Sequence, residues 1–131
     1  MERERKAKDY MTREIVTLRP DMDLHAAMLV LLSSRISGAP VVDEHGKLVG
    51  ILSEKDCFRP AFEAGYHQER CGPVSDYMST EVETVDAETD IIEVLQIFLH
   101  SRYRRFPVLA GGQLVGQISR RDVLRALVEL W

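Results

Sequence analysis

Two stretches decide the fold: Gly50-Ile51-Leu52-Ser53-Glu54-Lys55-Asp56 and Gly116-Gln117-Ile118-Ser119-Arg120-Arg121-Asp122. Both keep Gly, Ser and Asp at one spacing. In each, a short run leads to Ser and then to an acid three residues later, which reads as a strand entering a capped helix. The likeness extends outward. Upstream, Leu48-Val49 matches Leu114-Val115 and Gly46 matches Gly112. One gap opposite His45 changes the offset. Beyond it Pro40-Val41 falls on Pro107-Val108, Ser34-Arg35 on Ser101-Arg102, Asp23 on Asp90, Thr17 on Thr84, Glu14 on Glu81, and Asp9-Tyr10-Met11 on Asp76-Tyr77-Met78. Downstream, Arg59 falls on Arg125. One unit is written twice, and self-similarity at a fixed period is the mark of a repeat architecture. The divisions are an N-terminal arm at 1–8, a first repeat at 9–59, a linker at 60–75 and a second repeat at 76–131.

Each repeat reads as β-α-β-β-α. A β-branched stretch comes first, Ile15-Val16-Thr17-Leu18 or Val82-Glu83-Thr84-Val85. Asp23 or Asp90 then suits a helix N-cap. Leu24, Ala27, Met28, Leu31 and Leu32 recur at helical spacing, as do Ile91, Val94, Leu95, Phe98 and Leu99. Ala39-Pro40-Val41-Val42 and Phe106-Pro107-Val108-Leu109 read as strands, with each Pro expected at a strand start or an edge. A turn at Glu44-His45-Gly46 or Gly111-Gly112 leads to the second strand of a hairpin. Pro60 is expected to break or kink the first repeat's last helix. A three-stranded sheet with helices on one face leaves the other face bare, and one such copy is too small to bury both. The expectation is an α+β fold: two repeats packed sheet to sheet with pseudo-twofold symmetry.

Composition narrows the function. The 131 residues are 45% apolar and 29% charged, ordinary for a folded domain. The net charge of −4 argues against a nucleic-acid partner. The longest apolar run, Ala26 to Leu32, is far short of a bilayer span, and the charged N-terminus has no signal-peptide core. Arg3, Arg5, Lys6 and Lys8 alternate with acids and read as a solvated helix or arm. No membrane partner is expected. Two unpaired cysteines, Cys57 and Cys71, suit a cytoplasmic location. The four histidines share no metal-ligand spacing, and no nucleophile–base order is visible, so neither a metal site nor an enzyme is expected.

The doubled Gly-φ-φ-Ser-x-x-Asp pattern (φ mostly apolar), the Asp-Tyr-Met before each copy and the Pro-Val strands together resemble the cystathionine-β-synthase (CBS) domain. The two copies resemble a CBS pair, or Bateman module, over residues 9–125. The resemblance implies a stand-alone regulatory module with no required cofactor. It implies clefts between the copies for adenosine-containing ligands: AMP, ADP or ATP, and in some members S-adenosylmethionine or NADH. It implies a homodimer that signals to a target protein, with the apolar chain end Leu130-Trp131 a candidate for burial at the interface. The alternative is a ligand-free module for dimerisation and protein interaction.

The resemblance also implies roles for residues. The motif acids Asp56 and Asp122 would accept from ribose hydroxyls. Ser53, Ser119 and nearby basic residues would meet phosphate. The main chain at Ser37, Gly38, Ala39, Pro40, Phe106 and Pro107 would hold the adenine, and Thr17 and Thr84 would contact adenine or phosphate, with plain strand residues as the alternative. For Ser-x-x-Asp itself a capping box remains open beside ligand contact, although Asp is short for that reach. Arg104, Arg105, Arg120 and Arg121 place guanidinium groups where planar bonding to phosphate would use them, with a solvated, acid-paired face as the alternative. The first copy has Ser37-Gly38 where the arginine pair stands, so the second copy is expected to bind phosphate more tightly.

Overall fold

Asp23 caps the helix that follows it, as the sequence predicts: its Oδ2 accepts from the His25 N–H at 3.1 Å. Asp90 does the same for Ile92 at 3.0 Å. These are α2 (Leu24–Ser34) and α4 (Ile91–Leu99). The computed structural model describes residues 5–67 and 70–130; Arg3 and Trp131 lie outside the described residues. The remaining elements are α1 (Ala7–Tyr10), β1 (Gly38–Val42), β2 (Leu48–Ser53), α3 (Glu54–His67), β3 (Val85–Asp86), β4 (Arg105–Ala110), β5 (Gln113–Ser119) and α5 (Arg120–Leu130). No helix among the described residues is long and apolar enough to cross a membrane.

Two compact units form. One is Val16–Val82; in the other, the stretch ending at Ile15 joins the stretch beginning at Glu83. Each has its own core. In the first, Leu18, Leu24, Leu31, Val41, Leu52 and Val74 pack together. In the second, Ile91, Val94, Phe106, Val108, Ile118 and Val123 do so, with Ala7, Tyr10 and Met11 among them. The units therefore regroup the repeats. The opening segment of the second repeat sits on the body of the first, and the opening segment of the first repeat sits on the body of the second. Met78 and Ser79 lie over β2, where Ser79 exchanges two backbone hydrogen bonds with Ile51, both 2.9 Å. Thr12 does the same with Gln117 on β5, at 2.8 and 2.9 Å.

That crossing explains the glycine of the doubled motif. A Cβ at Gly50 would lie 2.7 Å from Met78 Sδ and 2.8 Å from the Ser79 carbonyl oxygen. At Gly116 it would lie 2.7 Å from both Met11 Sδ and the Thr12 carbonyl oxygen. Only a residue without a side chain lets the crossing segment approach so closely.

The structure corrects several expectations. The first strand of each repeat is much shorter: the first unit has a single bridge from Leu18 to Val41, and the second has only Val85–Asp86. The preceding residues, among them Val16, Thr17, Glu83 and Thr84, are exposed and have no ladder partner. The sheets are β1-β2 and β3-β4-β5. Pro107 lies inside the central strand of the latter rather than at an edge or a strand start, and Pro40 inside β1 likewise. The reason is register. Ile51 and Gln117, opposite the two prolines, bond outward to Ser79 and Thr12 and ask nothing of a proline N–H. On the other side the ladder begins just past Pro40, where Leu18 N–H donates to the Pro40 carbonyl and Val42 N–H to that of Leu18, both 2.9 Å.

Pro60 breaks nothing. Helix α3 runs through it to His67, into the expected linker. Pro60 has no N–H to offer the Asp56 carbonyl one turn back, and its own carbonyl accepts from the Cys71 thiol at 3.7 Å. Residues 5–8 are docked rather than solvated. Ala7 and Lys8 N–H groups donate to the Thr89 and Ala87 carbonyls at 2.8 and 3.0 Å, and Ala7 is fully buried.

Candidate functional site

The start of the last helix is built identically in both repeats. Ser53 N–H and Oγ–H both donate to Asp56 Oδ2, at 2.8 and 2.9 Å, and the Asp56 N–H donates back to Ser53 Oγ at 3.3 Å. At Ser119 and Asp122 the same three distances are 2.9, 3.0 and 3.2 Å. Both are reciprocal capping boxes, so Asp is long enough after all. The next amide is used too. Glu54 N–H donates to the Ser37 carbonyl at 2.8 Å, and Arg120 N–H to the Arg104 carbonyl at 3.1 Å. Three of the four orphan amides of each helix start are thereby satisfied within the unit. An anion arriving there must be met mainly by side chains.

These bonds bring Ser37-Gly38 beside Ser53-Glu54, and Arg104-Arg105 beside Ser119-Arg120; β1 and β2 pair Gly38 with Ser53, and β4 and β5 pair Arg105 with Ser119. Arg104, Arg105, Arg120 and Arg121 are all exposed, and among the described residues none of their side chains makes an ion pair. The acid-paired face that the sequence left open is not what forms. Thr17 and Thr84 are exposed, each one residue before the first bridge of its sheet. Ala39 and Phe106 are core residues; Phe106 packs its ring 4.8 Å from that of Phe98. Pro40 and Pro107 are fully buried. At these four positions only the backbone is left for a ligand.

Sequence reasoning gave Arg125 no role. Its Nη2 lies 3.4 Å from Asp122 Oδ1 and donates to the Tyr10 carbonyl at 2.9 Å. Tyr10 in turn donates its hydroxyl to Glu129 at 2.7 Å and accepts from Arg5 at 3.1 Å. The identity of Arg59 and Arg125 was the available signal. No group of three or more His, Cys, Asp or Glu able to hold a metal occurs among the described residues.

Comparison with known proteins places this geometry. The model of the CBS domain matches residues 7–61 and again 74–129. An uncharacterized 17.7 kDa protein of Acidianus ambivalens is 26% identical over 126 residues, 95% of this chain and 74% of that protein. Inosine-5'-monophosphate dehydrogenase of Methanocaldococcus jannaschii is 30% identical over 92% of this chain, which spans only 23% of that enzyme. The crystal structure of CBSX2 in complex with AMP has a TM-score of 0.80 and 25% identity, covering 95% of this chain and 97% of that one.

Proposed function

Because this chain belongs to the CBS domain family, as a tandem pair, we propose that it is a regulatory module. Its ligand carries adenosine and phosphate, and AMP is the first choice. The observation that carries this is the set of four exposed guanidinium groups without ion pairs, at Arg104, Arg105, Arg120 and Arg121, around the start of α5. Guanidinium groups left unneutralised beside a helix start suit a phosphate, which they bind through planar paired bonds. Asp56 and Asp122 supply carboxylate acceptors for a ribose diol, and the likeness to CBSX2, whose structure holds AMP, favours the same class of ligand. ADP, ATP, S-adenosylmethionine and NADH remain the comparison set. This chain spans only 23% of the related dehydrogenase, and the module acts through a target protein.

The test is calorimetry with AMP and with adenosine. Arg104→Ala is expected to weaken AMP roughly tenfold, the worth of one charge-assisted bond, and to spare adenosine. Equal loss for both ligands, or no binding of any of the set, refutes the proposal.

Self-association belongs to the same proposal. Leu32 and Leu99, Phe58 and Leu124, and Phe62 and Val128 occupy matching positions of the two units, and all six are exposed. Apolar side chains kept at matching surface positions suit a second copy of the chain. A sedimenting species of about 15 kDa alone, at tens of micromolar, refutes the homodimer.

A further inference from the structure

The two Ser–Asp caps share a chemistry and differ in one neighbour. In the second repeat, Arg125 bridges Asp122 Oδ1 and the Tyr10 carbonyl, at 3.4 and 2.9 Å. Asp122 Oδ2 already takes both Ser119 donors. Both carboxylate oxygens are engaged, and the side chain is 8% exposed. The first repeat has the same residue types at the same spacing, yet among the described residues Arg59 makes no such bridge and Asp56 is half-buried. The neighbours differ as well. Tyr77, the match of Tyr10, turns its hydroxyl to the Cys71 carbonyl.

We propose that Arg125 is a latch on the second repeat's ribose acceptor: an adenosine-bearing ligand reaches Asp122 Oδ1 only by displacing the guanidinium. Asp56 is the acceptor that stands open without rearrangement. The latch rests on the adenosyl assignment made above and adds a regulation to it. Arg125 holds the carbonyl of Tyr10, a residue 7% exposed in the segment that closes β5. Releasing Arg125 therefore removes one of the bonds that fix residues 5–12. Occupancy of the second site and docking of that segment oppose each other, and the coupling acts equally in both directions. The asymmetry also narrows the difference between the two sites expected from the arginine count alone. The second repeat has the phosphate-binding side chains but a closed ribose acceptor, and the first has the opposite.

Calorimetric titration with AMP tests the latch on four proteins: the unaltered chain, Arg125→Ala, Arg125→Gln and Arg59→Ala. Arg125→Gln keeps a donor for Tyr10 while removing the charge at Asp122, and it serves if Arg125→Ala folds poorly. Breaking a half-exposed ion pair corresponds to an affinity change of about three- to fivefold. Arg125→Ala and Arg125→Gln are each expected to tighten AMP by that factor, and Arg59→Ala to leave it unchanged. AMP is also expected to speed hydrogen exchange at the Thr12 amide of the unaltered chain. A purely structural Arg125 would leave AMP affinity unchanged or weaken it in both variants, which overturns the latch and leaves the adenosyl assignment standing. Binding of AMP to none of the four proteins overturns both.

Discussion

Gly116→Ala tests the exchange of segments between repeats. The new Cβ would meet Met11 Sδ and the Thr12 carbonyl oxygen at 2.7 Å, against the 3.4 Å where ordinary contact begins, so about 0.7 Å of movement is required. Met11 can swing aside. The Thr12 carbonyl cannot, because it accepts from Gln117 at 2.9 Å while the Thr12 N–H donates back at 2.8 Å. Overpacking costs about 1–3 kcal/mol, and weakening two backbone bonds adds roughly 1 kcal/mol. The expected loss is about 2–4 kcal/mol, on the order of 10 °C in melting temperature for a chain of this size. Gly50→Ala meets Met78 and Ser79 in the same way and should cost about as much. Gly65→Ala is the control. It lies within α3 with nothing inside 4 Å, so alanine should stabilise by about 0.5–1 kcal/mol. Urea unfolding followed by circular dichroism measures all three. A Gly116→Ala protein within about 0.5 kcal/mol of the unaltered chain, in the range of an ordinary surface change, would mean that Met11 and Thr12 do not lie on β5.

Two further outcomes are expected. Hydrogen bonds from Lys6 and Lys8 hold the Glu88 carboxyl down from 4.5 to about 2. A depressed carboxylate stabilises fully above the unfolded value and loses that contribution as pH falls from about 4.5 to 2. The stability gap between the unaltered chain and Glu88→Gln should therefore be present at pH 6 and shrink across that window; a gap undiminished at pH 2 contradicts the ion pairs. Burial, reinforced by nearby Asp56, pushes the Cys57 thiol up, whereas Cys71 is partly exposed. Iodoacetamide should label Cys71 well before Cys57, read by mass spectrometry of the peptides, and equal rates would contradict the packing of α3.

The repeat was legible because identities at Asp-Tyr-Met, Pro-Val and Gly-Ser-Asp recur in register. The Asp23 and Asp90 caps and the hairpin at Gly111-Gly112 were legible because their chemistry is local: both glycines take positive φ, 58° and 81°, which the tight turn needs. What failed was non-local. Pro40 and Pro107 look like edge residues until it is known that Ile51 and Gln117 bond away from them. Pro60 looks like a helix end, yet α3 continues through it to His67, held by more than the residues beside the proline. The Ser–Asp spacing pointed to side chains that do bond each other, Ser53 with Asp56 and Ser119 with Asp122. It could not separate Asp122 from Asp56, since what differs is whether an arginine three residues on swings toward the acid. A repeat in sequence cannot display a difference in side-chain direction.

The crossed docking of Asp-Tyr-Met segments bears on how such a chain could arise. A lone head-first copy has a segment that, in this arrangement, closes the sheet of a different copy. Two separate copies would have to trade heads, giving a swapped dimer whose integrity rises and falls with protein concentration. Joining them in one polypeptide makes the trade intramolecular, with an effective concentration in the millimolar range for a short connector. Gene fusion would thus convert a concentration-dependent partnership into a permanent one without changing a single contact. The Val16–Val82 stretch is, by contrast, a circularly permuted frame that carries its own closing segment at its tail.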